Sequence, residues 1–258
     1  MDIAGRVDAL RREGRLLADA AEGLDPAAPV PTCPGWVLRE LLLHLGGVHR
    51  WAAAHVRERR TEPLLLARAE DIEPDPPGDA GLVAWFRAGH SALVAELSAA
   101  RPELECWTFL PAPSPLDFWS RRQLHETAVH RADVYAAAAA PVEYPTGLAL
   151  DGVEEILTGF AARRRSRLPG EAPRTLLLTA LDAPVRWRVR VGPEGNAAVR
   201  EDGAAPDEPP GPGGCAVRAR AAELYLLLWN RRGAEGLDVR GDAGLLADWR
   251  ASVRVRWS

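Results

Sequence analysis

The amino-acid sequence predicts a two-domain α+β protein, with an N-terminal four-helix bundle over residues 1–168 and a smaller C-terminal α/β domain over residues 169–258. Three observations predict it. Four long segments of the first half repeat apolar residues at intervals of three and four. Loops rich in proline and glycine separate those segments. Beyond Pro169-Gly170 the pattern changes to short β-branched and aromatic runs that alternate with charge. A chain of 258 residues has room for two cores or one large one.

The first helix is expected over residues 2–22, where Ile3, Val7, Leu10, Leu16 and Leu17 form an apolar stripe. DPAAPVPTCPG then stops it. The second spans residues 36–59, with Val37, Leu41, His44, Val48 and Trp51 at helical spacing. A linker rich in Pro, Gly and Asp (73–80) leads to a third helix over 81–99, and an irregular stretch (106–118) to a fourth over 119–140. Four such helices joined by loops suit an antiparallel bundle. Residues 149–168 read as a fifth helix leading away from it. In the second half, RTLLLTAL and VRWRVRVG read as strands, the latter alternating Trp187, Val189 and Val191 with Arg186, Arg188 and Arg190. A loop dense in Gly and Pro (202–214) precedes CAVRARA, a further candidate strand. AAELYLLLWNRR and DAGLLADWRASV read as helices before VRVRW closes the chain.

Composition excludes several classes of function. Hydrophobic residues make up 47% and charged ones 26%, ordinary for a globular protein in water. The net charge is −4 and acidic residues interleave with basic ones, so no basic stripe invites a nucleic acid. Every one of the 32 Lys+Arg residues is arginine, which rules out a lysine Schiff base. The three cysteines, Cys33, Cys106 and Cys215, are scattered without a CxxC, as in a reducing compartment. The amphipathic N-terminus does not read as a signal peptide, and no apolar run approaches the ~18 residues of a membrane span. A cytoplasmic protein is expected; its oligomeric state is not written in the sequence.

The segment HETAVHRAD in the fourth helix carries the chemistry. His125-Glu126 followed by His130 imitates a zinc-protease motif but fails by one residue, because histidines five apart are turned by about 140°. Glu126 and His130 are four apart, about 40° from each other, and can share one ion. A carboxylate oxygen and an imidazole nitrogen suit zinc, iron or nickel. A third ligand must come from another helix. The second helix offers His44 and His49, of which only one can face that pair. His44 lies among the leucines of ELLLHL, where its ring nitrogens need a partner. Beside it, Gly46-Gly47 would let a ligand or a neighbouring helix approach the backbone, consistent with an open, accessible metal. Cys33, at the mouth of that helix, is a minor candidate for reactivity, while His55 and His90 are read as structural.

TCPGW, LLLHLGGVHRWA, RRQLHETAVHRADV and LYLLLWNRR with a following RGD together resemble the mycothiol-dependent maleylpyruvate isomerase family, among the DinB/YfiT-like metal-dependent bundles. The likeness spans nearly the whole chain. It implies a DinB-like four-helix bundle followed by an α/β domain, and a divalent metal, usually zinc, held by His44, Glu126 and His130. It further implies mycothiol as thiol cofactor or co-substrate and a small electrophile as substrate, giving an isomerase or a thiol S-transferase. Thiol addition to a cis double bond would permit rotation and then elimination. A hydrolase using metal-bound water and a non-catalytic metal-binding bundle are the alternatives. Arg231, in LWNRR, matches the family's arginine and could meet a substrate carboxylate. His49 and His125 are candidate partners behind the ligands, and Arg121, Arg122 and Arg131 flank them in sequence. The lysine-free, Ala- and Arg-rich composition agrees with an actinobacterial host. One departure is Val37, where the family places a small polar residue able to cap the second helix, a loss of about 1 kcal/mol.

Overall fold

A computed structural model describes residues 1–64, 77–203 and 209–255. The linker expected at 73–80, the loop at 202–214 and the closing VRVRW therefore lie partly outside the described residues. The chain divides into a first unit that runs to Val142 and a second that begins at Glu143.

Among the described residues, four α-helices build the first unit: α1 (Ile3–Ala21), α2 (Leu38–Glu58), α3 (Leu82–Ala99) and α4 (Pro115–Ala137). α1 and α2 each pack against both α3 and α4, so the order round the bundle is α1, α3, α2, α4. Their starts follow ordinary capping chemistry. The Asp2 carboxylate accepts from Gly5 N at 2.8 Å at the head of α1. α4 begins four residues before its expected start because Ser114 caps it, accepting from Asp117 N at 3.1 Å, with Pro115 in the first turn. Val37 offers no side-chain cap, but the Glu40 carboxylate reaches back to accept from Val37 N at 2.8 Å. That half of a capping box compensates for the missing polar side chain.

Gly46-Gly47 do not interrupt α2, which is continuous through them. A Cβ on Gly46 would lie 2.2 Å from the Trp85 ring. The close approach at Gly46 is thus that of a neighbouring helix, not of a ligand. Arg50 lies over the face of the indole, 3.8 Å from its centroid, and rests on Gly89 of α3. One end of the bundle is filled by Trp51, His55, Trp107, Phe109, Phe118 and Trp119, with Trp51 edge-on to Trp107 and Trp119, Phe109 edge-on to Phe118, and His55 stacked on Trp119.

The second unit holds α5 (Thr146–Glu155), which widens into a π-helical turn at Ile156–Phe160, and a five-stranded sheet. The strands are β1 (Arg174–Ala180), β2 (Val185–Val191), β3 (Ala197–Asp202), β4 (Cys215–Ala219) and β5 (Asp238–Gly241), in the order β3-β2-β1-β4-β5. Only the β1–β4 pair is parallel. α6 (Ala221–Leu228) and α7 (Gly244–Ser252) complete the unit. The expected boundary at 168/169 assigned α5 to the bundle, whereas it packs against α6. Two buried indoles tie it there: Trp187 Nε1 donates to Glu154 Oε1 at 2.7 Å and Trp229 Nε1 to Gly152 O at 3.0 Å. Among the described residues, no helix is long and apolar enough to cross a membrane.

Candidate metal centre

α4 places Glu126 and His130 one turn apart, and α2 brings His44 against them. His44 Nε2 lies 3.4 Å from Glu126 Oε1, and His130 Nε2 lies 3.3 Å from the same oxygen. One donor atom from each of the three falls within 4.8 Å of the others. The second Glu126 oxygen accepts from Arg122 Nη2 at 3.1 Å, an i,i+4 contact on α4. Trp36, from the turn before α2, walls the site: its ring is edge-on to His44 at 5.1 Å and stacked over His130 at 6.5 Å. That turn is closed by Val30 N donating to Trp36 O at 2.9 Å and Trp36 N donating to Cys33 O at 3.0 Å.

The electrostatics follow from burial and pairing. Burial pushes the His44 pKa below its ordinary value, with partial compensation from the Glu126 hydrogen bond. For Glu126 burial favours the neutral acid, but hydrogen bonds from His130 and His44 and the Arg122 charge outweigh it and hold the carboxyl well below the usual range. For His130 burial opposes the proton, yet bonds to Asp133, Cys33 and Glu126 raise it well above its ordinary value. The centre therefore gathers an ionised Glu126, a His44 held toward its neutral form and a His130 that keeps its proton at one buried point.

A second donor set shares one residue with the first. Cys33, His130 and Asp133 also bring three possible ligand atoms within 4.8 Å. Cys33 is half-buried, and its thiol donates to Asp133 Oδ2 at 3.3 Å. Asp133 was not among the expected site residues, although its i+3 spacing from His130 in HRAD carried the signal.

The other expected residues sit elsewhere. His49 is fully buried and its Nε2 lies 2.9 Å from Thr127 Oγ1, with Phe86 and His90 rings beside it. It is one residue removed from the ligand face, which agrees with the five-residue spacing argument. His125 is also fully buried, turned about 100° from Glu126 on the helix. Arg131 points to α1, where Nε donates to Glu13 Oε2 at 2.5 Å. Arg231 belongs to the second unit and donates through Nη1 to Trp229 O at 3.0 Å.

The donor set fits a divalent ion. Donor separations of 3.3 and 3.4 Å are long for charge-assisted hydrogen bonds, about 2.7–2.9 Å. They match the edge of a tetrahedron with arms of about 2.05 Å, roughly 3.35 Å, the arms nitrogen and oxygen make to zinc.

Residues 7–135 match the family described as mycothiol maleylpyruvate isomerase N-terminal domain, and residues 147–248 match the MDMPI C-terminal domain. No curated protein matches the chain. Two solved structures share its fold. One is of the mycothiol-dependent maleylpyruvate isomerase, 14% identical with a TM-score of 0.63. The other is a histidine-to-alanine mutant of the mycothiol-dependent maleylpyruvate isomerase, 15% identical with a TM-score of 0.62. In both cases 93% of each chain is covered. With both of its units matched in order, the chain belongs to the mycothiol-dependent maleylpyruvate isomerase family of enzymes.

Proposed function

We propose that this protein is a metal-dependent, mycothiol-dependent isomerase or thiol S-transferase acting on a small electrophilic metabolite. The observation that carries the reading is the convergence of His44, Glu126 and His130 on one point, with both imidazole-to-carboxylate separations close to a tetrahedral edge. These three would hold one divalent ion, zinc by the nature of the donors. When bound, such an ion supplies Lewis acidity that shifts a coordinating thiol toward thiolate, well below the ~8.5 of a free thiol.

The chain's own residues prepare that chemistry. Burial keeps His44 neutral, so its Nε2 lone pair is available. Arg122 fixes the Glu126 carboxylate through the oxygen that does not face the imidazoles. Trp36 lies against both histidine rings and excludes water from that side. Arg231 is proposed, on its LWNRR context, to meet the carboxylate of an acidic substrate.

The test is elemental analysis of the purified protein and of His44→Ala, Glu126→Ala, His130→Ala and Cys33→Ala, with turnover of a model electrophile measured with and without mycothiol. One metal per chain is expected, lost in the first three variants and kept in the fourth. Metal surviving all three ligand substitutions refutes the site. Turnover of an ester or amide without any thiol refutes the thiol-dependent reaction in favour of a hydrolase.

A further inference from the structure

Asp133 stands outside the proposed donor set, yet it is fully buried and well supplied with donors. Its Oδ1 accepts from Thr32 Oγ1 at 2.5 Å; its Oδ2 lies 2.8 Å from His130 Nδ1 and accepts from Cys33 Sγ at 3.3 Å. An ionised carboxylate can only accept, so the His130 contact places a proton on Nδ1. The other ring nitrogen, Nε2, is the one that faces Glu126 Oε1. The i+3 spacing on α4 sets this geometry, since His130 and Asp133 fall on one side of the helix.

We infer that Asp133 is a positioning residue, which fixes the tautomer and ring orientation of His130 so that Nε2 is presented to the ion, and which ties the Thr32–Cys33 turn to the site. The inference rests on the metal reading above. The rival role, in which Asp133 is itself a ligand together with Cys33 and His130, requires Nδ1 to lose its proton. It would also turn Asp133 Oδ2 away from the two donors it now accepts. The same turn carries Trp36, so one buried carboxylate holds both a ligand ring and the wall beside it. A carboxylate behind a metal-bound histidine raises the basicity of the ring as well as orienting it, and its removal weakens metal binding by about 10–100-fold.

The experiment titrates the metal-free, full-length protein with zinc against a chelating dye at fixed pH. Asp133→Asn is expected to bind zinc about 10–100-fold more weakly while keeping the wild-type far-UV circular dichroism. Cys33→Ala is expected to bind almost as the wild type does. In the zinc-loaded wild type, long-range 1H–15N correlation is expected to find the His130 proton on Nδ1, a readout that a purely structural role for Asp133 would not dictate and that needs no variant. Unchanged affinity in Asp133→Asn, a proton absent from Nδ1, or loss of zinc in Cys33→Ala would each overturn the inference. Stoichiometric zinc in the wild type with unchanged affinity in Asp133→Asn removes the role of Asp133 and leaves the metal reading standing. Failure of the wild type to take up zinc removes both.

Discussion

α4 of the first unit and β2 of the second are both rich in charge, and they dispose of it in opposite ways. α4 is buried on nearly every side, and its buried residues include Arg122, Gln123, His125, Glu126, His130, Arg131 and Asp133. β2 alternates, and its buried positions are Val185, Trp187, Val189 and Val191, joined by Arg186, which pairs with Glu201 of β3. Arg190 points to solvent and pairs there with Glu194 at 2.9 Å. A strand can send every second residue outward, whereas a helix enclosed by neighbours cannot. Polar groups inside such a helix need partners, and partners fixed in a dry interior are fixed in geometry. The difference teaches that a function is to be looked for where polar groups are buried at a cost, and that surface charge of equal density carries little information.

The sharpest way to break the comparison is to remove one member of an inward pair. Arg131 and Glu13 are 3% and 0% exposed at their side chains. Arg131→Met should cost about 3 kcal/mol in urea denaturation, because it removes the partner of the buried Glu13 Oε2 and leaves only Arg12, at 2.9 Å from Oε1, to hold that carboxylate. A loss below about 1 kcal/mol would mean that the pair is not held as described. Next in size is Gly46→Ala, whose Cβ would meet the Trp85 ring at 2.2 Å. Overpacking there should cost about 1–3 kcal/mol and quench or shift the tryptophan fluorescence. A neutral Gly46→Ala would refute the close seating of Trp85.

The third effect depends on pH. Burial, with the neighbouring His90, Arg50 and His130 outweighing the opposing Glu126, holds the His49 pKa well below its ordinary 6.5. Its neutral form is the folded one, so its contribution is complete above pH 6.5 and lost as pH falls toward the depressed folded value. His55 and His90 are lowered by burial too and act in the same direction. His130 is raised and acts in the opposite one, its contribution present below 6.5 and lost as pH climbs through the folded value. The metal-free protein should therefore lose stability on acidification below about pH 6.5, at no more than about 1.4 kcal/mol per pH unit for each such histidine. His49→Gln should flatten that limb, and an unchanged slope would sink the assignment. The smallest effect belongs to β2: Glu194→Ala removes an exposed pair and should cost less than about 1 kcal/mol.

The raised proton on His130 also bears on metal loading. A ligand nitrogen must give up its proton to bind, so zinc affinity should rise with pH. Proton release on zinc addition, measured in a weakly buffered solution, checks this directly.

Much of this was legible without coordinates. The spacing of Glu126 and His130 placed both on one face of a helix, and the five-residue separations excluded His125 and allowed only one of His44 and His49. The change of period after Pro169-Gly170 separated strands from helices, and β1, β2 and β4 fall where the alternation put them. Other features were beyond local pattern. AAVRED of β3 and DVRG of β5 show no alternation of apolar residues, because an edge strand buries little and is defined by the backbone of its neighbour. Gly46-Gly47 read as room beside an open, accessible metal, and only the position of Trp85 on α3 decided for a packed helix. Residues 149–168 read as a helix leading away from the bundle, and the indoles of Trp187 and Trp229 hold α5 to the rest of the second unit. Asp133 is a surface-looking acid in a list of residues; Thr32 and Cys33, a hundred positions away, make it the anchor of His130. Periodicity and spacing act within a few residues and are fixed by backbone geometry, so the sequence by itself determined the helices, the main strands and the pairing of Glu126 with His130. Which distant side chains fill a glycine notch, hold a second ring nitrogen or claim a helix depends on packing between elements, and only the tertiary structure decided that.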